Sequence, residues 1–204
     1  MLIVNLFKKI FGSNQKTPML PSQKDSAGTR VIFNGDFYYT ESRLGLGGAY
    51  VDMENGRQYH LPQNANNQRL GEAVLDALRN NRWLPYLEDY NNLSMLPIAQ
   101  SYQAEWVGNL LVRYGYKNKT VLYQNMIECG IELKNEQITF SPTKHDALES
   151  WNADLRDGFV GVVIPANFPP EEIGKAVRIA LSRCLNPYGE KKGLPKHNFD
   201  EYIK

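Results

Sequence analysis

The sequence predicts an α+β fold, a mostly antiparallel sheet with helices packed on it, including an amphipathic C-terminal helix. Three observations carry this. The predicted elements run strands, helices, hairpin, strand, helix, which is not regular βαβ alternation. Residues 127–133, "IECGIEL", alternate, with Ile127, Cys129, Ile131 and Leu133 on one face and a wet face opposite. Residues 169–184 place Ile173, Ala176, Val177, Ala180, Leu181 and Cys184 at helical spacing, the kind of stripe that packs on a sheet.

The elements follow in order. In residues 1–12 a helix would gather Ile3, Leu6, Phe7, Ile10 and Phe11 on one face, with Lys8 and Lys9 off it. Such a segment docks on its own domain, frays, or serves as a peripheral membrane or partner helix. Its apolar residues precede its lysines, the reverse of a secretory signal. Residues 13–30, with two prolines and no hydrophobic period, read as a linker. "RVIFNGDFYYT" (30–40) is a strand turned or bulged at Asn34-Gly35, and 49–61 is a hairpin turning at Glu54-Asn55-Gly56. Residues 66–81 form an amphipathic helix capped by Asn66 or Asn67, with Leu70, Val74, Leu75 and Leu78 inward. An irregular aromatic stretch (82–97) precedes a helix over 101–115 and a short one over 119–126. A turn at Asn135-Glu136 returns "QITFSP" as the second arm of a hairpin, and the apolar "FVGVVIP" (159–165) is placed as a central strand. The last helix opens on prolines and two glutamates, and Arg178 and Arg183 lie toward the end that its dipole favours for cations. Residues 185–204 form a tail that Phe199 and Tyr202 can pin. The domain is thus residues 30–184, between a segment 1–29 and that tail.

Hydrophobic residues make up 42% of the 204, enough for one core, and the mean hydropathy is −0.47. No apolar run approaches the roughly 20 residues of a membrane span, so stable membrane insertion is not expected. Charge is uneven. Residues 1–30 hold five Lys and Arg against one Asp, and 185–204 hold four Lys against three acids. That leaves 31–184 at −4 in a chain of net +1. An acidic body argues against nucleic acid as partner and suits a basic protein. Cys129 and Cys184 lack the CxxC spacing of a zinc site and read as buried free thiols of a cytosolic protein.

The catalytic inventory is thin. His145, Asp146 and Glu149 fall within "SPTKHDALESW" (141–151), and an acid–base set built on His145 is the hydrolase reading. Against it, His60 and His197 are far off in sequence, Ser141 has no nucleophile elbow, and Thr143-x-x-Asp146 has capping-box spacing for a short helix with Leu148 and Trp151 inward. No metal or cofactor site is expected. "GLGGAY" (45–50) lacks the helix that a phosphate loop requires. Acids and aromatics gather instead at Asp52 and Glu54 and at Trp83, Tyr86, Glu88, Asp89 and Tyr90, both expected to be exposed. Asp52, Glu54, Tyr86, Glu88, Asp89 and Tyr90 are the candidate protein-binding residues.

Two segments carry a resemblance. "VLYQNMIECGIELKNEQITFSPTKHDALESW" followed by "IPANFPPEEIGKAVRIALSRC" resembles the immunity proteins of bacterial contact-dependent growth inhibition (CDI). Its landmarks are Leu122, Met126 and Cys129, then Ser141-Pro142, His145, Leu148-Glu149 and Trp151. Glu172, Gly174, Arg178 and Ser182-Arg183-Cys184 complete it. Residues near 31 and "LGEAVLDAL" (70–78) are also similar, so the resemblance spans roughly 30–184. It implies a cytoplasmic antidote, with no catalysis of its own, that binds the toxic C-terminal domain of a CDI effector, often a nuclease. It does not assign the binding residues. The other readings are the His145 hydrolase and a peripheral adaptor led by residues 1–11.

Overall fold

The computed structural model describes residues 26–44, 50–52, 56–82, 96–153 and 158–203. Strands β1 (Ser26–Phe33) and β2 (Phe37–Glu41) are joined by a turn at Gly35, whose φ of 104° suits glycine. Asn34 fixes that turn, its side-chain oxygen accepting from the Asp36 and Phe37 amides at 3.1 and 3.3 Å. Short β3 (Arg43–Leu44) and β4 (Tyr50–Val51) pair with each other, and β5 (Gln58–Pro62) pairs with β2. Helix α1 (Asn67–Arg79) is capped by Asn66, which accepts from the Arg69 amide. Helices α2 (Leu96–Tyr114) and α3 (Lys119–Tyr123) follow. Then come β6 (Ile127–Lys134), β7 (Gln137–Pro142), β8 (Lys144–Ala147), β9 (Ser150–Asn152) and β10 (Val162–Pro165). Helix α4 (Pro170–Ser182) and the one-turn α5 (Pro187–Glu190) and α6 (Asp200–Ile203) complete the order.

Six strands form one antiparallel sheet in the order β10-β7-β6-β1-β2-β5. Alternation sorts its side chains. Val31, Phe33, Tyr38, Cys129, Ile131, Ile138 and Phe140 meet α1 and α4 on one face. Ile32, Phe37 and Tyr39 meet Trp106 and Leu110 of α2 and Leu122 and Tyr123 of α3 on the other. The expected α+β class is what the chain adopts. Burial of Tyr38 and Tyr39 side by side follows from β2 being covered on both faces.

Helices α1 and α4 cross in backbone contact. A Cβ on Gly71 would stand 1.7 Å from the Pro170 carbonyl oxygen, and one on Gly174 would stand 2.0 Å from that of Asn67. Only glycine permits this approach. Beside it Arg178, which the sequence places toward the end of the helix that favours cations, is wholly buried. Its guanidinium donates to Asn67 Oδ1 (2.8 Å), the Tyr38 hydroxyl and the Ala65 carbonyl, and lies over the Tyr202 ring at 3.9 Å. Phe199 is 2% exposed in the same core, so residues 197–202 are pinned as their aromatics suggested.

Four sequence expectations are corrected. The 159–165 run is an edge strand, because an apolar run does not state how many neighbours it has. Val162 and Ile164 pack inward, while Val160 and Val163 are 67% and 55% exposed. Residues 49–61 are not one hairpin, since β4 and β5 pair into different sheets. Strand β1 begins at Ser26, inside the expected linker, because β6 pairs with it from Phe33↔Ile127 to Ser26↔Lys134. The helix expected at 143–151 is the β8–β9 hairpin. Leu185 bonds on both sides of Lys144, accepting from the His145 amide and donating to the Thr143 carbonyl, and so draws the segment out straight.

Candidate functional site

Of the expected binding residues, Asp52 is described, and Glu54, Tyr86, Glu88, Asp89 and Tyr90, with Trp83, lie outside the described residues. Asp52 is not exposed as expected. It is 4% exposed, and its two oxygens accept from Arg82 Nε (2.5 Å) and Nη2 (2.7 Å). A bidentate arginine is the geometry that compensates a buried carboxylate. Backbone bonds knit the surroundings: Ser42 donates to Arg57 and accepts from Asp52, and Arg82 donates to Arg43. The Arg43 amide donates to Asn81 Oδ1 at 2.9 Å. Asp52 immediately precedes residues 53–55, which include Glu54, and Arg82 immediately precedes residues 83–95, which include Tyr86, Glu88, Asp89 and Tyr90. Their ion pair therefore joins the bases of the two segments that hold the candidate residues.

The His145 set does not converge. Strand alternation sends His145 inward and Asp146 outward. The His145 ring is fully buried and stacks on Trp151 at 4.7 Å and 15°, its partner across the β8–β9 pair. Nδ1 faces Asn186 Oδ1 at 3.1 Å and Nε2 faces the Leu148 carbonyl at 3.3 Å. Asn186 is itself oriented, accepting from the Gly189 amide and donating to the Gln124 carbonyl. Burial lowers the His145 pKa, which keeps the ring neutral. Asp146 accepts from Asn152, and Glu149 pairs with Lys119. The three groups share no proton path. Neither cysteine is poised as a nucleophile: both are free, burial pushes Cys184 up to about 12, and Cys129 is raised as well. Among the described residues, no three His, Cys, Asp or Glu gather as a metal site.

A polar network that local patterns do not reveal crosses the sheet beneath α2. Arg30 donates to Glu41, which is 1% exposed, at 3.2 Å and to Glu128 at 3.1 Å. The Tyr39 hydroxyl donates to Glu41 Oε2, and Gln58 donates to Tyr102. Burial opposes the Arg30 charge, and the carboxylates of Glu128 and Glu41 more than offset it, so its pKa is raised. Arg30 and Glu128 edge an open polar cleft of about 400 Å³ with Gln103, Tyr123 and Trp151. The spacing of Arg30 and Ile32 hints that β1 carries a charge on its α2 face. Its partner Glu128 is visible only once β1 and β6 are paired.

Comparison with known proteins gives one consistent result. A sequence model of the family described as CDI immunity protein (CdiI) matches residues 28–184. The immunity protein CdiI-YPIII of Yersinia pseudotuberculosis serotype O:3 (strain YPIII) is 34% identical over 170 residues, 78% of this chain and 96% of the relative. Two solved structures superpose with a TM-score of 0.69. One is a protein of unknown function, NMB0488, from Neisseria meningitidis, at 32% identity over 81% of this chain and 99% of that one. The other is a chain of a CdiA-CT/CdiI toxin and immunity complex from Yersinia pseudotuberculosis, at 31% identity over 78% and 97%.

Proposed function

The chain belongs to the CDI immunity protein family, and from that premise we propose that it protects its cell by binding and neutralising the C-terminal toxin domain of a cognate CDI effector. The observation that carries this is the likeness, over nearly the whole of the other chain, to a member of a toxin and immunity complex. The toxin domain is a nuclease, the antidote acts in the cytoplasm, and it works by occupancy rather than catalysis. The buried, neutral His145 and the outward Asp146 and Glu149 support that last point. Among the described residues, no helix is long and apolar enough to cross a membrane.

The test is a titration of the purified chain against the toxin domain encoded beside it, read by calorimetry and by that domain's cleavage of RNA and DNA. The expected result is a nanomolar complex, about −12 kcal/mol, that abolishes cleavage. Toxicity without nucleolytic cleavage would remove the nuclease and leave the antidote. Glu54, Tyr86, Glu88, Asp89 and Tyr90 remain the proposed contacts, on segments whose bases the Asp52–Arg82 pair joins. Reversing Glu88 and Asp89 to lysine is expected to slow association with a basic toxin and weaken binding at low salt. Unchanged kinetics would dismiss that patch alone.

A further inference from the structure

A groove of about 710 Å³ runs along α1. Arg69, Glu72, Asp76 and Arg79 line it at i, i+3, i+7 and i+10, one side of the helix, and Tyr59 of β5 and the 39% exposed Phe168 line it too. Its charges are not equivalent. The Asp76 carboxylate accepts from the Tyr59 hydroxyl, from Arg57 at 2.9 Å and from Asn80 at 3.1 Å. Glu72 accepts from Gln68 at 2.6 Å. Arg69 and Arg79 are exposed, and among the described residues neither guanidinium has a hydrogen-bond or ion-pair partner. Two uncommitted arginines thus flank internally bonded acids, in a body that is otherwise negative.

Ten residues of helix place Arg69 and Arg79 about 15 Å apart along the axis. An extended chain covers that distance in about five residues. The wall is rigid, because α1 is held in backbone contact with α4 through Gly71 and Gly174. Each guanidinium offers a planar fork to a carboxylate, and the aromatic rings of Tyr59 and Phe168 offer an apolar surface between. A nucleic-acid strand, with a phosphate every few ångströms, would need a longer run of cations than two arginines interleaved with two acids.

We propose that the groove receives an extended acidic segment of the toxin domain, with carboxylates at the first and fifth of about five residues, on one face of the strand, meeting Arg69 and Arg79, and an apolar side chain between them on Tyr59 and Phe168. This rests on the antidote reading above. The body of residues 31–184 carries a net charge of −4, so within it the two unpartnered arginines set the segment's register as well as its affinity.

The experiment uses the full chain, its R69E/R79E and R69K/R79K variants, and Glu132→Lys on the opposite sheet face as control. The probes are the toxin domain, a fluorescein-labelled pentapeptide with glutamate at both ends and phenylalanine in the middle, and a single-stranded RNA pentamer. The expected result is toxin binding weakened roughly 100-fold by R69E/R79E, as for loss of two interfacial charge pairs, with the melting temperature unchanged. Lysines should restore only part of the affinity, since they lack the fork. The peptide should bind the wild-type chain and lose binding on reversal, and Glu132→Lys should leave both unaffected. Toxin binding unchanged by R69E/R79E overturns the groove while the antidote reading stands. Peptide binding indifferent to reversal, or RNA bound in preference to peptide, overturns the acidic-segment chemistry. A wild-type chain that does not bind the toxin domain overturns both.

Discussion

Arg178 occupies a position that the helical stripe of α4 leaves polar, yet among the described residues it is one of the largest fully buried side chains. Its fork answers three groups on two other segments, the Tyr38 hydroxyl of β2 and the Asn67 side chain and Ala65 carbonyl at the start of α1, and Asn67 in turn donates to the Tyr202 carbonyl at 2.8 Å. Arg178→Met removes the donor and strands buried acceptors, and should cost about 2–4 kcal/mol in urea denaturation. Arg178→Lys should recover little of it, because one ammonium cannot reach acceptors arranged for a fork. The histidines set a pH dependence. Burial is the first cause of the lowered pKa at His60, His145 and His197 alike. The folded chain therefore holds them neutral, while the unfolded chain takes up protons near pH 6.5. Stability is full above that value and declines as pH falls through it toward the folded pKa values. Urea midpoints should drop between pH 7.5 and 5.0, and His145→Gln should flatten part of the drop. An unchanged midpoint would show that the rings are not held neutral.

The crossing of α1 and α4 decides how the sheet's first face is closed. Gly71→Ala and Gly174→Ala each drive a methyl group into a backbone carbonyl that has no rotamer to yield. Each should destabilise by about 2–4 kcal/mol, and melting curves of the two single variants would show it. Gly108 of α2 has open space where a Cβ would stand, with nothing within 4 Å, so Gly108→Ala should stabilise by about 0.5–1 kcal/mol through helix propensity. These elements are legible in sequence because their apolar residues recur at 3.6 and their caps are local. Pairing is not legible. "SPTKHDALESW" has helix-like spacing and a capping box, but Leu185 holds it extended from about forty residues away. "FVGVVIP" looks central because it is apolar, but nothing in its own residues says that β7 is its single sheet neighbour.

For the whole molecule, the order of elements indicates the class, composition the acid–base balance, and the spaced landmarks the family. The candidate surface is legible only in part. The charge of Asp52 marks it as a candidate contact, and that charge is satisfied by Arg82. Arg69 and Arg79 look like ordinary solvated helix residues, because their lack of partners is a property of the folded surface and not of the helix. The C-terminal stretch beyond residue 184, outside the family match, nevertheless supplies Phe199 to the main core and Tyr202 to the Arg178 sandwich. Phe199→Ala should cost about 3–5 kcal/mol, measurable as a lower urea midpoint. A midpoint within experimental error of wild type would mean that the stretch is dispensable.

The pairing of β1 with β6 has a kinetic consequence. These strands sit side by side at the centre of the sheet, although about a hundred positions of chain lie between them. A sheet closed by such distant partners has high contact order, and its loop-closure entropy is spent before its contacts can form. Stopped-flow refolding should run over milliseconds to seconds rather than microseconds. That wait is short beside translation of the 204 residues, which at about 5–20 residues per second takes tens of seconds, and β1 leaves the ribosome well before the partner that completes its sheet.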